Sequence, residues 1–393
     1  MIDGEHYVPV VRAALAELPY EFVAAFVAGG TEKLRGGEDY GLPLVGSIEE
    51  AVVRHAPEVV VDLSDEPVLS PAARLQLASR ALARGLAYVG ADFRFEPPVF
   101  EPFPLPSLAV CGTGKRVGKT AVTGHLARLL ARDRDVLVVA MGRGGPLEPE
   151  VVEVAPTIAD LLERSRAGRH AASDHLETAA IAGVPTVGCR RCGGGLAGAT
   201  FVSNVSAGMQ VAVDRGADIV VFDGSGAAIP PVATAARILV AHDLVSGLNP
   251  YRALISDLVL STTGEVVAEA EALGRRALQF DLRLRPVEPL AGRRTALFTT
   301  GPALFDHVDE VVFASQNLAD RDALRRDLDD LDVEVFLVEL KAAAIDVVAE
   351  AAAERGAAVV LAAYDVEARG LDDALLELAA LASGAREREN SLR

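Results

Sequence analysis

Residues 107–130, SLAVCGTGKRVGKTAVTGHLARLL, constrain this chain more than any other stretch. The apolar run 108–111 predicts a buried strand. It breaks into a glycine-rich turn over 112–118, then passes through Lys119 and Thr120 into an amphipathic helix. Strand, glycine turn, Gly-Lys-Thr and helix in that order make a phosphate-binding loop. Glycine lets successive N–H groups turn inward around phosphate oxygens, and the free helix N-terminus adds positive potential there. Gly114, Val117, Gly118, Lys119, Thr120 and Ala121 are the candidate nucleotide contacts. Lys119 is placed to reach the β- and γ-phosphates and Thr120 to ligate Mg²⁺. The spelling is unusual: Thr113 stands five residues before Gly118, where the common pattern has its first glycine, and Gly112 precedes it.

A chain of 393 residues with 50% hydrophobic content is long enough for two or three domains with real cores. No apolar run approaches the ~20 residues of a membrane helix. The opening Met1-Ile2-Asp3-Gly4-Glu5 has neither a basic nor an apolar leader region, so a cytoplasmic protein is expected. Three cysteines are no disulfide framework. A net charge of −18 argues against nucleic-acid and membrane partners, since phosphate backbones would be repelled. An anionic substrate must then be held by local cationic clusters and metal. Only Lys33, Lys115, Lys119 and Lys341 are lysines, the other basic residues being arginine. In so biased a chain, each lysine marks a place where a slim, rotatable ammonium suits better than a planar guanidinium. Two of them lie in the phosphate loop.

Residues 1–103 alternate helical and strand-like segments. Residues 8–18, 48–55 and 71–84 have helical period, and 21–27, 58–63 and 86–89 read as strands. The pattern predicts a small parallel α/β sheet whose ligand rim carries 29–33, 62–66 and 90–92. No strand precedes Asp3-Gly4-Glu5-His6, so either the sheet starts without one or the start codon has been placed late. Residues 96–106, with five prolines, form a linker. Strands are expected at 136–141, 186–189, 217–222 and 256–262, and helices at 157–165 and 174–182. Past residue 291, strands are expected at 295–300, 310–315, 333–339 and 357–363, with an alanine-rich helix at 342–354. This last part, 291–393, either extends the same sheet or forms a separate lobe. The fold class is α/β: a P-loop NTPase doubly wound parallel sheet (104–393) preceded by a smaller Rossmann-like domain (1–103).

Asp223 ends a buried strand about a hundred residues after the loop, where such enzymes place the carboxylate that holds Mg²⁺ or its water; helix capping is the alternative. Asp174 is a second metal candidate, with an N-cap as its equal alternative. Cys189-Arg190-Arg191-Cys192-Gly193-Gly194-Gly195 admits three readings. Cys-x-x-Cys is half a zinc site and needs a partner. It also suits a redox pair, the flanking arginines lowering the thiol pKa values. Or the adjacent arginines and the Gly193-Gly194 backbone clamp a phosphate. Arg143, wedged between glycines at a strand end, looks similar.

The loop over 113–120 has the spacing of the variant loop of dethiobiotin synthetase. Beyond it, Asp3-Gly4-Glu5-His6-Tyr7, Gly29-Gly30-Thr31-Glu32-Lys33, Met141-Gly142-Arg143-Gly144-Gly145-Pro146 and Gly188-Cys189-Arg190-Arg191-Cys192-Gly193-Gly194-Gly195 resemble the cyclic 2,3-diphosphoglycerate synthetases. So do Asp223-Gly224-Ser225-Gly226, Ser315-Gln316-Asn317-Leu318 and Glu339-Leu340-Lys341-Ala342. Asp223 departs from the glutamate common in this class, keeping metal ligation at shorter reach. The resemblance implies an ATP- and Mg²⁺-dependent ligase that closes an intramolecular phosphoanhydride in 2,3-bisphosphoglycerate, releasing ADP and phosphate. Relatives of this nucleotide fold imply a homodimer. Lys119, Lys115 and Arg143 are then the expected catalytic residues, with Mg²⁺ on Thr120, Asp223 and Asp174. Arg143, Arg190, Arg191, Gly193, Gly194, Lys33 and Lys341 are expected around the substrate. A dethiobiotin-synthetase-like ligase on a mostly apolar substrate and a non-catalytic nucleotide switch are the alternatives.

Overall fold

The computed structural model describes residues 1–391 except Arg35, Asp330 and Ala342; the side chains of Lys33 and of residues 385–391 also lie outside the described set. The N-terminal unit opens with helix α1 (Val8–Glu17), strand β1 (Ala25–Phe26) and β2 (Leu44–Val45). Helix α2 (Ile48–His55), β3 (Val59–Val61), α3 (Pro71–Ala83), β4 (Ala87–Val89) and β5 (Arg94–Phe95) follow. Ser47 and Ser70 cap α2 and α3 by accepting N–H bonds from Glu50 and Ala73, and Pro71 starts α3 where its missing N–H matters least.

The expected parallel sheet is present in two pieces, β1–β2 and β3–β4, with β5 added antiparallel to β4. Between them lies a stub of the chain start. The Met1 ammonium donates to the Val61 carbonyl at 2.7 Å, Ile2 N–H donates to Phe26 O and Ala28 N–H returns to Ile2 O. The strand expected over 21–27 is reduced to Ala25–Phe26. Its first half has no neighbour to pair with and instead lines a cavity of about 460 Å³ with Val59, Val60 and Val61.

The proline-rich linker is pinned rather than free: β6 (Glu101–Pro102) pairs with β13 (Val232–Ala233), and the Phe103 ring meets Phe222 edge-on at 5.0 Å. It leads into the nine-stranded sheet, built on β7 (Ser107–Gly112), β8 (Val136–Gly142), β9 (Glu150–Val152), β10 (Thr186–Cys192) and β11 (Val202–Ser203). To these it adds β12 (Ile219–Asp223), β14 (Ala236–Ala241), β15 (Leu258–Ser261) and β16 (Ala277–Gln279). The order is β11-β10-β8-β12-β7-β14-β15-β16, with β9 also on β10. Only β9 and β11 run antiparallel. β7, β8 and β12 are buried along their whole length, as a parallel sheet covered by helices on both faces requires. Helix α4 (Lys119–Leu130) leaves β7 through the glycine turn, and α5 (Ile158–Arg166) and α6 (Asp174–Ala182) lie between β9 and β10 in the chain.

The strands beyond residue 280 do not extend this sheet. β17 (Asp281–Pro286), β18 (Thr295–Phe298), β19 (Val311–Ser315), β20 (Val335–Glu339) and β21 (Ala358–Glu367) make a five-stranded sheet of their own, order β17-β21-β20-β18-β19. β21 runs past the expected 363 because antiparallel β17 pairs along its far half. The alanine-rich helix expected at 342–354 begins at a residue outside the described set. It is seen as a π-helical turn, Ala344–Ala349, continued by Glu350–Arg355. The last helix, Leu371–Ser391, crosses back, and Leu371, Leu375 and Leu378 join the core under α4.

Candidate active site

The site grows from the end of β7. Gly118 adopts φ +92 as N-cap of α4, a conformation that strains any residue with a Cβ. Gly112 is glycine for another reason: a Cβ there would sit 3.0 Å from the Gly226 carbonyl oxygen. The early glycine of the unusual spelling thus lets the loop after β12 press against the phosphate loop. Thr113, in the place of the common glycine, bonds His242 Nδ1 at 2.8 Å through its hydroxyl. Val117 and Ala121 turn their side chains into the core, so only their backbones face the loop. Lys115 is exposed.

Lys119 reaches across to the end of β12. Its Nζ lies 2.6 Å from Asp223 Oδ1, and the Thr123 hydroxyl donates to the same oxygen at 2.7 Å. Thr123 follows Lys119 by four residues and therefore shares its helix face. Asp223 Oδ2 is buried and has no hydrogen-bond partner. Burial pushes the Asp223 carboxyl above the usual carboxylate range, with the Lys119 ammonium opposing it. A buried carboxylate oxygen left unpartnered beside a phosphate loop fits a hard cation, and the Thr120 hydroxyl at the first turn of α4 supplies a second oxygen of the same kind.

Asp174 opens α6. Ser173, not Asp174, occupies the N-cap, and the Asp174 carboxylate turns toward the Ser225 hydroxyl at 3.5 Å. Ser225 and Gly226 gather the arginines. Arg191 Nη2 donates to the Ser225 carbonyl at 2.8 Å. A Cβ on Gly226 would lie 2.6 Å from Arg143 Nη2 and 3.8 Å from Arg191 Nη2. Burial and then the Arg143 charge depress the Arg191 guanidinium below its ordinary value. Two guanidinium groups held at one turn repel each other until an anion joins them.

Arg190 is not with them. The segment expected to be a short strand ending at 189 continues as strand to Cys192, paired with Ser203 and Val202. Successive strand residues face opposite sides, so Arg191 turns to Ser225 while Arg190 leaves by the other face. Its backbone N–H donates to Asn204 Oδ1 at 2.6 Å. Gly193 backs onto Phe201, and Gly194 lies against the Arg191 guanidinium. The same pleat separates the cysteines. Cys189 is buried against Gly208, its thiol pushed up to about 12 by burial, while Cys192 is exposed. Among the described residues no group of His, Cys, Asp or Glu has metal-site spacing.

Lys341 comes in from the end of β20 and pairs with Glu177 at 2.6 Å. Burial disfavours its charge, but Glu177, with Glu339 and Asp174 nearby, outweighs it and raises its pKa. Glu177 and Asp174 are one helical turn apart on α6, so the C-terminal sheet is tied to the same helix that carries the candidate metal carboxylate. The Lys33 side chain lies outside the described residues. Sequence reasoning passed over Thr123, His242 and Asn204. Only Thr123 had a signal, its i+4 spacing from Lys119; the other two are brought in by neighbouring strands.

Family models for cyclic 2,3-diphosphoglycerate synthetase match in three parts: the N-terminal domain over residues 1–96, the P-loop domain over 107–276 and the C-terminal domain over 286–365. The chain is 48% identical to the cyclic 2,3-diphosphoglycerate synthetase of Rubrobacter xylanophilus, covering 98% of each chain. It is 38% identical to that of Pyrococcus horikoshii over 95% of this chain and 93% of that one. For Thermococcus kodakarensis the identity is 39% over 98% and 99%. With three domain models in sequence and near full-length relatives on both sides of this geometry, the chain belongs to the cyclic 2,3-diphosphoglycerate synthetase family.

Proposed function

We propose that this protein uses ATP to close 2,3-bisphosphoglycerate into cyclic 2,3-diphosphoglycerate, releasing ADP and inorganic phosphate. One observation carries the reading. Arg143 and Arg191 converge on Ser225–Gly226, whose backbone abuts Gly112 of the phosphate loop, so a cationic pole and a nucleotide cradle share one rim. A substrate with two phosphates and a carboxylate bears about four to five negative charges, which explains such a pole in an acidic chain. A mostly apolar substrate would leave it idle.

The γ-phosphoryl group passes from ATP to one substrate phosphate, giving a phosphoanhydride and ADP. An oxygen of the neighbouring phosphate then attacks the phosphorus nearest the carbon, and inorganic phosphate leaves as the ring closes. Such transfers depend on positioning and charge neutralisation more than on a strong base. Lys119 exchanges Asp223 for the nucleotide's phosphates, and Lys115 adds charge at the mouth of the loop. Arg143 and Arg191 hold the two substrate phosphates within reach of each other, with the Gly193-Gly194 backbone beside them. Asp223, Thr120 and Asp174 would hold Mg²⁺, which when bound neutralises charge on the phosphate oxygens.

The chain reads as an N-terminal domain (1–103) and an ATP-binding unit (104–393); its last part, expected at 291–393, shares with β17 (Asp281–Pro286) a five-stranded sheet of its own. A homodimer is supported by the outer edge of β11, where Phe201 and Val202 are exposed. A second copy's β11 can pair there about a two-fold axis, and sedimentation of Phe201→Asp against the parent tests it. The activity is tested by ADP release at saturating ATP with and without 2,3-bisphosphoglycerate: stimulation supports the reading, and an unaffected slow hydrolysis overturns it in favour of a nucleotide switch.

A further inference from the structure

A second cavity, of about 230 Å³, opens between the phosphate loop and the C-terminal sheet, and nothing in the reaction so far uses it. Arg116 lines it from the loop; Thr300, Arg321 and Lys341 line it from the far side, with Leu318 and Ala343 completing the wall. Three cations around a small, partly apolar space suit a compact anion, while the Thr300 hydroxyl is already committed as donor to Glu339 at 2.8 Å. Arg116 is exposed and adopts φ +60, a conformation glycine takes more easily, so an arginine here sets a guanidinium at the cavity mouth against a backbone preference. Arg321 is oriented by Asp346 at 2.6 Å, and Lys341 by Glu177 at 2.6 Å.

The cavity is linked to the chemistry through α6. Asp174 neighbours Ser225 and the Arg143–Arg191 pole; Glu177, three residues on, anchors Lys341. One turn of α6 therefore bears on both the arginine pole, through Asp174, and the cavity, through Glu177 and Lys341. Both substrate phosphates react and so belong to the Arg143–Arg191 pole and the nucleotide. The carboxylate takes no part in the chemistry, and binding energy from such a group is available to fix the geometry of the reacting ones.

Resting on the cyclisation reading, we propose that this cavity receives the carboxylate of 2,3-bisphosphoglycerate, Arg116 and Arg321 being the residues that select for it. The loop that grips the nucleotide and the C-terminal lobe then close on opposite ends of one molecule. Glycerol 1,2-bisphosphate, which carries CH₂OH in place of the carboxylate, is the discriminating probe, measured by ADP release with the full-length protein. In the parent, kcat/KM for the carboxylate substrate exceeds that for the probe by about tenfold to a hundredfold, the effect of a charge-assisted hydrogen bond. Arg116→Gln and Arg321→Gln each raise KM for 2,3-bisphosphoglycerate by at least about tenfold, leave KM for ATP within threefold and collapse the preference over the probe. A merely structural role lowers both substrates alike and keeps the preference, which overturns the proposal. A rise in KM for ATP alone gives the cavity to the nucleotide and overturns it too. If the parent's ADP release does not respond to 2,3-bisphosphoglycerate at all, the cyclisation reading itself fails, and this proposal with it.

Discussion

Lys119 has two jobs that one substitution separates poorly and two substitutions separate well. In the structure it neutralises Asp223 at 2.6 Å, with the lysine side chain 10% and the aspartate 1% exposed. Lys119→Met therefore leaves a buried carboxylate without its counter-charge. Breaking one partner of a buried pair costs about 3–5 kcal/mol; for a unit of this size that is a Tm drop of roughly 10 °C. Burial already lifts the Asp223 pKa and loss of the ammonium lifts it further, so the variant is more stable relative to the parent in acid, where the carboxyl is protonated, than at pH 8. Asp223→Asn in the same chain removes the stranded charge and recovers most of the lost Tm, with Thr123 still able to donate to the amide oxygen. Activity does not recover: ADP release stays down by at least about 10²–10³-fold, the scale of losing one preorganised charge at the transition state. Differential scanning fluorimetry and a coupled ADP assay on the parent, Lys119→Met and the double variant decide it. A double variant as unstable as Lys119→Met refutes the ion-pair argument, and near-parental turnover in either lysine variant refutes the catalytic one.

Arg191→Ala raises KM for 2,3-bisphosphoglycerate about tenfold or more while ATP binding, followed by calorimetry, changes little, since its guanidinium sits at Ser225 rather than in the phosphate loop. Gly145→Ala fails to fold or loses several degrees of Tm, because a Cβ there would lie 2.0 Å from the Cys189 carbonyl oxygen; Gly183→Ala, with open space around it, loses only about 1 kcal/mol for its left-handed φ. His175 is 2% exposed, and burial, against the opposing pull of Glu150, lowers its pKa from 6.5 to about 4. Its stabilising contribution is complete above pH 6.5 and is lost as pH falls toward 4, where the unfolded chain binds a proton that the folded one refuses. Denaturant titrations at pH 7 and pH 4.5 should differ by up to about 3 kcal/mol from this group, and His175→Gln flattens that slope.

What was readable in the chain was local. The phosphate loop declares itself because strand, turn and helix are contiguous, and Asp223 because it ends an apolar run at the matching rim. What depended on pairing between distant segments was not readable. Arg190 and Arg191 look like one clamp until Val202–Ser203 pairs with Arg191–Cys192 and holds the segment as strand, sending the two side chains apart. The strand expected over 21–27 has the right composition, but among the described residues only 25–27 find strand partners, in Leu44–Val45 and Ile2. The separate C-terminal sheet turns on the antiparallel contact of β17 with β21, which periodicity along either strand alone does not reveal. His242 and Asn204 reach the site only because their strands neighbour β7 and β10.

The most direct test of the account is phosphorus NMR of a reaction containing the protein, ATP, Mg²⁺ and 2,3-bisphosphoglycerate. Ring closure predicts that the two monoester resonances give way to a coupled phosphoanhydride pair, with one ADP and one inorganic phosphate formed per ring. ADP and phosphate accumulating while both monoester resonances persist would contradict it.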